Sequence, residues 1–249
     1  MDRRRATLAV FSAALMPLLV LLAGCSHKST AVDSTSSPTS DATSSAAEND
    51  VPRIPPRVDT LGDGALEPGS YALPPLGPVH HPVAVVDVPA GYTHWGPFLN
   101  AAEPQEPEDP LAISLWVVTG VFKDACVATE QLPAGDSVRT VADAFLRQKV
   151  TSVTKPRPVT LAGYDGLYLE IRAPAKLDYS RCNDAELNFW ESTPAGERWT
   201  RMPGMRDRLW ILDVDGQPMV LAMFVPPSAT DRQVEQIADI VRGARFVGG

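Results

Sequence analysis

Leu209-Trp210-Ile211-Leu212-Asp213-Val214-Asp215-Gly216-Gln217-Pro218-Met219-Val220-Leu221-Ala222-Met223-Phe224-Val225 holds two apolar runs on either side of Asp215-Gly216. Asp-Gly between two such runs signals a tight hairpin, because the turn needs positive φ and glycine supplies it without strain. Both arms, Leu209–Val214 and Met219–Val225, are almost continuously apolar. That pattern belongs to central strands covered on both faces. Working toward the C-terminus, Val234, Ile237, Ala238 and Val241 form one stripe of a helix from Asp231 to Arg242, with Thr230 and Gln233 as a capping box and Gly243 at its end. Ala244 to Val247 returns as a short edge segment. Working backward, Tyr164 to Ile171 alternates Leu167, Leu169 and Ile171 against Tyr168, Glu170 and Arg172, and Pro158 to Leu161 precedes it as a strand.

Ser137 to Val150 reads as a second helix, with Val138, Val141, Ala142, Phe145 and Leu146 on one face and Asp136 or Ser137 as its cap. Arg147 and Lys149 suit the negative end of its dipole. Ala112–Thr119, Val83–Val88 and Ser70–Leu73 are strands, the latter two beside Pro89-Ala90-Gly91 and Pro68-Gly69 turns. The order is β, β, β, α, β, β, hairpin, α. Strands outnumber helices, so the expected fold is α+β: a mainly antiparallel sheet packed by two helices, sandwich-like.

The first segment is of another kind. An uncharged run from Ala6 to Ala23 follows Arg3, Arg4 and Arg5, the pattern of a secretory signal. It ends on Leu22-Ala23-Gly24-Cys25, which resembles a bacterial lipobox. The resemblance implies a diacylglyceryl group on the Cys25 sulfur, cleavage after Gly24, and often an acyl group on the new amino terminus. An uncleaved anchor is the rival reading, since about 20 apolar residues span a bilayer core; Pro17 and the Gly-Cys ending argue for cleavage. From Ser29 to Ser45, eleven of seventeen residues are Ser or Thr, too polar to bury a core and expected to be a disordered tether. Pro52, Pro55 and Pro56 extend it. The expected division is a signal peptide over 1–24, a lipidated cysteine with tether over 25–60, and a single globular domain over 61–249.

The composition, 44% hydrophobic and 21% charged, suits a chain that buries a core. The formal charge is −8; the leader carries Asp2 against three arginines, so the mature chain stands at −10. Such a chain has no electrostatic reason to bind nucleic acid, nor to lie on anionic lipid. The expected membrane contact is the N-terminal lipid alone, on the outer face of the cytoplasmic membrane. With Cys25 taken by lipid, Cys126 and Cys182 remain, and an even remainder in an exported chain favours a disulfide. A metal pair would want further ligands close by; two buried free thiols are the other alternative.

Lys123-Asp124-Ala125-Cys126, Gly163-Tyr164-Asp165-Gly166-Leu167-Tyr168-Leu169-Glu170, Asp178-Tyr179-Ser180-Arg181-Cys182, the Leu209–Gly216 run and Ala244-Arg245-Phe246 resemble a family of uncharacterised actinobacterial secreted lipoproteins. The likeness runs from about Leu61 to the end, and both family cysteines fall on Cys126 and Cys182. The layout is also similar to PsbP-like α/β/α sandwiches. Neither resemblance brings an activity, a cofactor or a catalytic residue.

The chemistry-bearing residues are sparse. The histidines are His27, His80, His81 and His94, and no nucleophile elbow, Ser-x-x-Lys or His-Glu-x-x-His occurs. His80-His81 with Glu103 or Asp109 is the one conceivable metal set, and neighbouring loop histidines are more often solvated. Asp213-Val214-Asp215-Gly216 lacks the later ligands of a calcium loop. Glu186 and Glu191 beside Trp190 suggest a glycosidase pair only if a cleft separates them suitably. Trp116 and Trp210 sit in strands as core. Trp95, Trp190 and Trp199, with Arg198, Arg201 and Arg206, are the expected binding surface, because aromatics and arginine dominate interfaces. The expected function is a non-enzymatic envelope lipoprotein that binds a protein or wall partner, without cofactor or metal. The alternatives are a carrier of a lipid or small apolar ligand, and a hydrolase of wall glycan or ester.

Overall fold

The Asp215-Gly216 turn closes two nine-residue strands, Arg206–Val214 and Gln217–Val225, paired without a break from Arg206↔Val225 to Val214↔Gln217. Asp215 and Gly216 both take positive φ, 55° and 83°, as a type I′ hairpin requires. The Asp213 carboxylate accepts from the Gly216 amide at 2.9 Å.

This computed structural model describes residues 54–101 and 110–248. The leader, Cys25, the tether up to residue 53, and the acidic segment with Glu103 and Asp109 lie outside the described residues. In chain order the strands are β1 Gly64–Ala65, β2 Gly69–Leu73, β3 Pro75–Leu76, β4 Val83–Val88, β5 Thr93–Trp95, β6 Phe98–Asn100, β7 Ala112–Trp116, β8 Gly120–Phe122 and β9 Gln131–Pro133. After α1, Val138–Leu146, come β10 Ser152–Val153, β11 Arg157–Leu161, β12 Tyr164–Arg172, β13 Leu187–Ser192, β14 Gly196–Thr200, and the hairpin as β15 and β16. The chain ends with α2, Asp231–Arg242, and β17, Arg245–Val247.

The hairpin lies inside a ten-stranded sheet ordered β1-β5-β6-β7-β16-β15-β12-β10, with β11 also on β12 and β3 beside β7. Its strand pairs are antiparallel apart from β3 with β7. Two smaller sheets, β14-β13-β8-β9 and β17-β4-β2, cover it. Period-two alternation then explains the apolar arms. Met219, Leu221, Met223 and Val225 face a core shared with α2 and with Leu73, Ala84 and Val86 of the three-stranded sheet. Val220, Ala222 and Phe224 face a second core shared with α1 and with Leu187, Phe189 and Trp190 of β13. Each large side chain removed from water this way stabilises by about 1.5–3 kcal/mol. Gly166 sits where β12 and β15 come closest: a Cβ there would fall 2.1 Å from the Ile211 carbonyl oxygen.

Beyond the short strands that were not expected before α1, three differences from the sequence expectation bear on the core. The folded part begins before Leu61, since Val58 is fully buried and the Pro56 carbonyl accepts from the Ala72 amide at 2.9 Å. Helix α1 stops at Leu146 rather than Val150. Gln148 turns inward to donate to the Phe122 and Phe189 carbonyls at 3.1 and 2.6 Å, and the Lys149 amide donates to Lys123. Those bonds compete with a further helical turn, and they leave Leu146 exposed. Third, the region expected to be loop between β12 and β15 contains the β13–β14 hairpin.

Two links hold the four-stranded sheet in place. Arg198 on β14 donates from Nε to Asp207 Oδ2 at 2.8 Å and from Nη2 to Oδ1 at 2.9 Å. Its guanidinium lies 4.3 Å over the Phe224 ring, and Asp207 has no exposed surface. Cys126, after β8, is bonded to Cys182, before β13, across 56 residues with Cα atoms 4.5 Å apart. The expected disulfide is therefore formed.

Removing one partner of a buried pair strands the other charge, so Asp207→Ala should cost about 3–5 kcal/mol in denaturant unfolding, while an Arg198→Met/Asp207→Leu double change should cost far less. A single variant within about 1 kcal/mol of wild type would refute the structural role given to the pair. Replacing both cysteines by alanine should cost about 4 kcal/mol by the loop-closure argument, read in the same assay.

Candidate functional site

Helix α2 has a second face besides the one it buries. Arg232, Gln236, Asp239 and Gly243 follow one another at three- and four-residue steps, and together with Gln233 they form one wall of a trough of about 1060 Å³. The helix is fixed at its start by a reciprocal cap. The Thr230 hydroxyl accepts from the Gln233 amide at 3.3 Å and the Gln233 side-chain oxygen from the Thr230 amide at 2.8 Å. At its end Arg242 pairs with Glu235 at 2.6 Å and also with Asp239. The facing wall comes from Gly69 and Ser70 on β2 and Asp87 and Val88 on β4, continued by Pro89 and Ala90. Tyr92, Ala101 and Ile240 also line the trough, and Tyr92 and Ile240 are buried.

The trough is apolar in part, with amides and carboxylates beside the apolar groups. The Ser70 hydroxyl donates to Asp87, and that bond, helped by the Arg245 charge, holds the Asp87 carboxyl below its ordinary range. Burial pushes the Tyr92 hydroxyl up, and the Asp239 charge pushes it further. Two carboxylates thus sit on opposite walls, Asp87 in a setting that favours its charged form. The Arg245 guanidinium donates to the Ser70 hydroxyl and to the Asp87 carboxylate, each at 3.5 Å, and a carboxylate whose pKa is lowered is a poor acceptor for a nucleophile's proton.

The six side chains expected to form a binding surface are not brought together. Trp190 is wholly buried on β13, edge-on to Trp116 at 5.5 Å and to Phe145 at 5.6 Å. Arg198 is 8% exposed in its pair with Asp207. These two are core, a correction that follows from the unforeseen β13–β14 hairpin. Trp199 is half-buried under the Arg201 guanidinium at 5.2 Å, and Arg201 lies 3.4 Å from Glu186. Trp95 is 66% exposed and stacks on Phe98 at 5.9 Å. It belongs to β5, which three strands separate from the β15 strand that carries Arg206.

The other candidates also find their places. Trp116 is core as expected; Trp210 is only half-buried. Glu191 accepts from Gln131 at 2.5 Å and from Thr193 at 2.9 Å, opposite Glu197 on β14. Burial raises the Glu186 and Glu197 carboxyls; Arg201 opposes the first, and Glu191 reinforces the second. His94 is buried with Nε2 2.9 Å from the Gly62 carbonyl. His80 and His81 are exposed, and among the described residues no three His, Cys, Asp or Glu side chains are grouped to hold a metal. Asp213 serves the hairpin turn. The trough itself carried no sequence signal, because its walls come from β2, β4, a turn and α2, which nothing in their spacing relates.

No family model matches the chain, and no curated protein matches it. Among solved structures, the chain is similar to LpqN of Mycobacterium tuberculosis, described as involved in cell envelope biogenesis. The two share 13% identity over 72% of this chain and 91% of LpqN, with a TM-score of 0.36. A likeness that loose carries no argument about either chain's activity.

Proposed function

We propose that this chain is an exported, lipid-anchored protein of the cell envelope, displayed on the outer face of the cytoplasmic membrane. Its folded part is a non-enzymatic binding or adaptor domain that receives a partner in the trough beside α2. The observation that carries the reading is the Cys126–Cys182 bond. Disulfides persist in oxidising compartments outside the cytoplasm, and this one leaves Cys25, at the end of Leu22-Ala23-Gly24-Cys25, as the remaining thiol of three. Among the described residues no helix is long and apolar enough to cross a membrane. In this reading the acyl chains on Cys25 make the attachment. Two chains hold a protein far more firmly than one.

The trough favours an adaptor over an apolar carrier. Its polar and charged walls offer hydrogen bonds and ion pairs to a surface segment, whereas pockets for small apolar ligands are concave and mostly apolar. Wall components or an envelope protein are the partners that the location offers.

Three measurements test this. In an actinobacterial host fed an alkyne fatty acid, the full chain should carry the label and sediment with membranes. Cys25→Ser should do neither, and label retained on that variant would remove the anchor. In intact cells, a photo-crosslinking residue at Gln236 should give a defined adduct that the same residue at Asp213 does not. Native mass spectrometry of the chain from residue 26 should give its bare mass; an apolar ligand that leaves on denaturation would replace the adaptor with the carrier.

A further inference from the structure

The sheet face that carries α2 is unevenly covered. The helix packs on β4 and β7, and Leu212 and Val214 lie in the core on that side. Toward the other end of the same face, the register sets Arg172 opposite Arg206, Glu170 opposite Arg208, and Tyr168 opposite Trp210. Residues two apart on a strand share a face, so these six side chains stand on one surface. Arg157 joins them from β11, with its guanidinium 4.3 Å over the Tyr168 ring.

Part of this surface is neutralised from within. The Tyr168 hydroxyl donates to Glu170 at 2.5 Å, and Arg208 Nε stands 3.5 Å from the same carboxylate oxygen. Arg172 and Arg206 are different. They are direct cross-strand neighbours, and among the described residues neither has a carboxylate partner. Like charges placed so are mutually destabilising, and no ion pair among the described residues offsets them. A depression of about 190 Å³ opens beside Arg172, lined also by Ser152, Val153, Thr154 and Glu170. Four arginines against one glutamate make a local charge of +3 on a chain whose formal charge is −8.

We propose that this arginine face docks onto an anionic phospholipid surface, with headgroup phosphates accepting from Arg172 and Arg206. Charge complementarity is the argument. A guanidinium offers paired donors that match phosphate oxygens, and a phosphate between the two would turn their repulsion into shared attraction. The face is broad, with half-buried Trp210 among the arginines; tryptophan suits the headgroup level of a bilayer. The net negative charge does not forbid this contact. At physiological salt the screening length is about 8 Å, so carboxylates on the far side of the domain are largely silent at the membrane.

The test uses the chain from residue 26 without an acyl group, so its outcome is independent of Cys25. Both cores lie within that chain. It should float with vesicles of phosphatidylglycerol and phosphatidylcholine in equal parts, not with phosphatidylcholine alone, and added salt should release it. Arg172→Glu/Arg206→Glu should weaken the partition at least about tenfold, since each arginine near such a surface contributes roughly a fivefold factor. The milder Arg172→Gln/Arg206→Gln pair should lose less, with circular dichroism and disulfide mass unchanged. Arg139→Glu/Arg147→Glu, an equal change of charge on and beside α1, should stay within about twofold. Failure of the wild type to float, or equal flotation of the Glu and Gln pairs with wild type, would overturn the proposal. So would saturable binding of glycerol phosphate in solution by a chain that ignores vesicles.

Discussion

Everything in this fold answers to one requirement: both faces of the β15–β16 hairpin must be kept from water. From Leu209 to Val225 its side chains alternate between two cores, broken only at Asp213 and the turn, so a single covering layer would leave half of them exposed. Helix α2 and the β17-β4-β2 sheet close one side; α1 and the β14-β13-β8-β9 sheet close the other. Two short helices cannot cover ten strands, and the small sheets complete the cover. Where the cover ends, side chains become polar or exposed: Trp95 toward one edge of the large sheet, Arg172 and Arg206 toward the other.

The same requirement explains the one fully buried carboxylate among the described residues. Asp207 pairs with Phe224 across the hairpin and with Ile171 on the other side, so its position in the alternation points it under the four-stranded sheet. An ionised carboxylate is tolerated there only with a hydrogen-bonded counter-charge, and Arg198 supplies it from β14. A buried pair of this kind adds little net stability over an apolar substitute. Its consequence here is registration, because β14 must sit where the guanidinium can reach. The disulfide acts at the far end of the same layer, tying the excursion between β12 and β13 to the end of β8.

Legibility followed the strength of local signals. The Asp215-Gly216 turn admits few conformations, and α2 carries an apolar stripe, a capping box and a terminal glycine; both were readable to the residue. The β13–β14 hairpin was not. Glu191, Glu197 and Arg198 interrupt its alternation, and Gln131, which donates to Glu191, lies 60 residues away in sequence. Missing those strands turned Trp190 and Arg198 from core into an imagined surface. The end of α1 was hidden for a similar reason, since Gln148 is drawn inward by carbonyls of β8 and β13. Of the site, α2 was legible as a helix, but the trough exists only once β2 and β4 are brought beside it.

Charge shows most plainly what a sum over a sequence leaves out. A formal charge of −8 describes the chain as a whole. It does not describe a contact made by one face at close range, where the screening length is shorter than the domain. The register of β12 against β15 gathers Arg172, Arg206 and Arg208 onto one surface, while acidic Asp87 and Asp239 line the trough. These charges are separated by topology, not by composition.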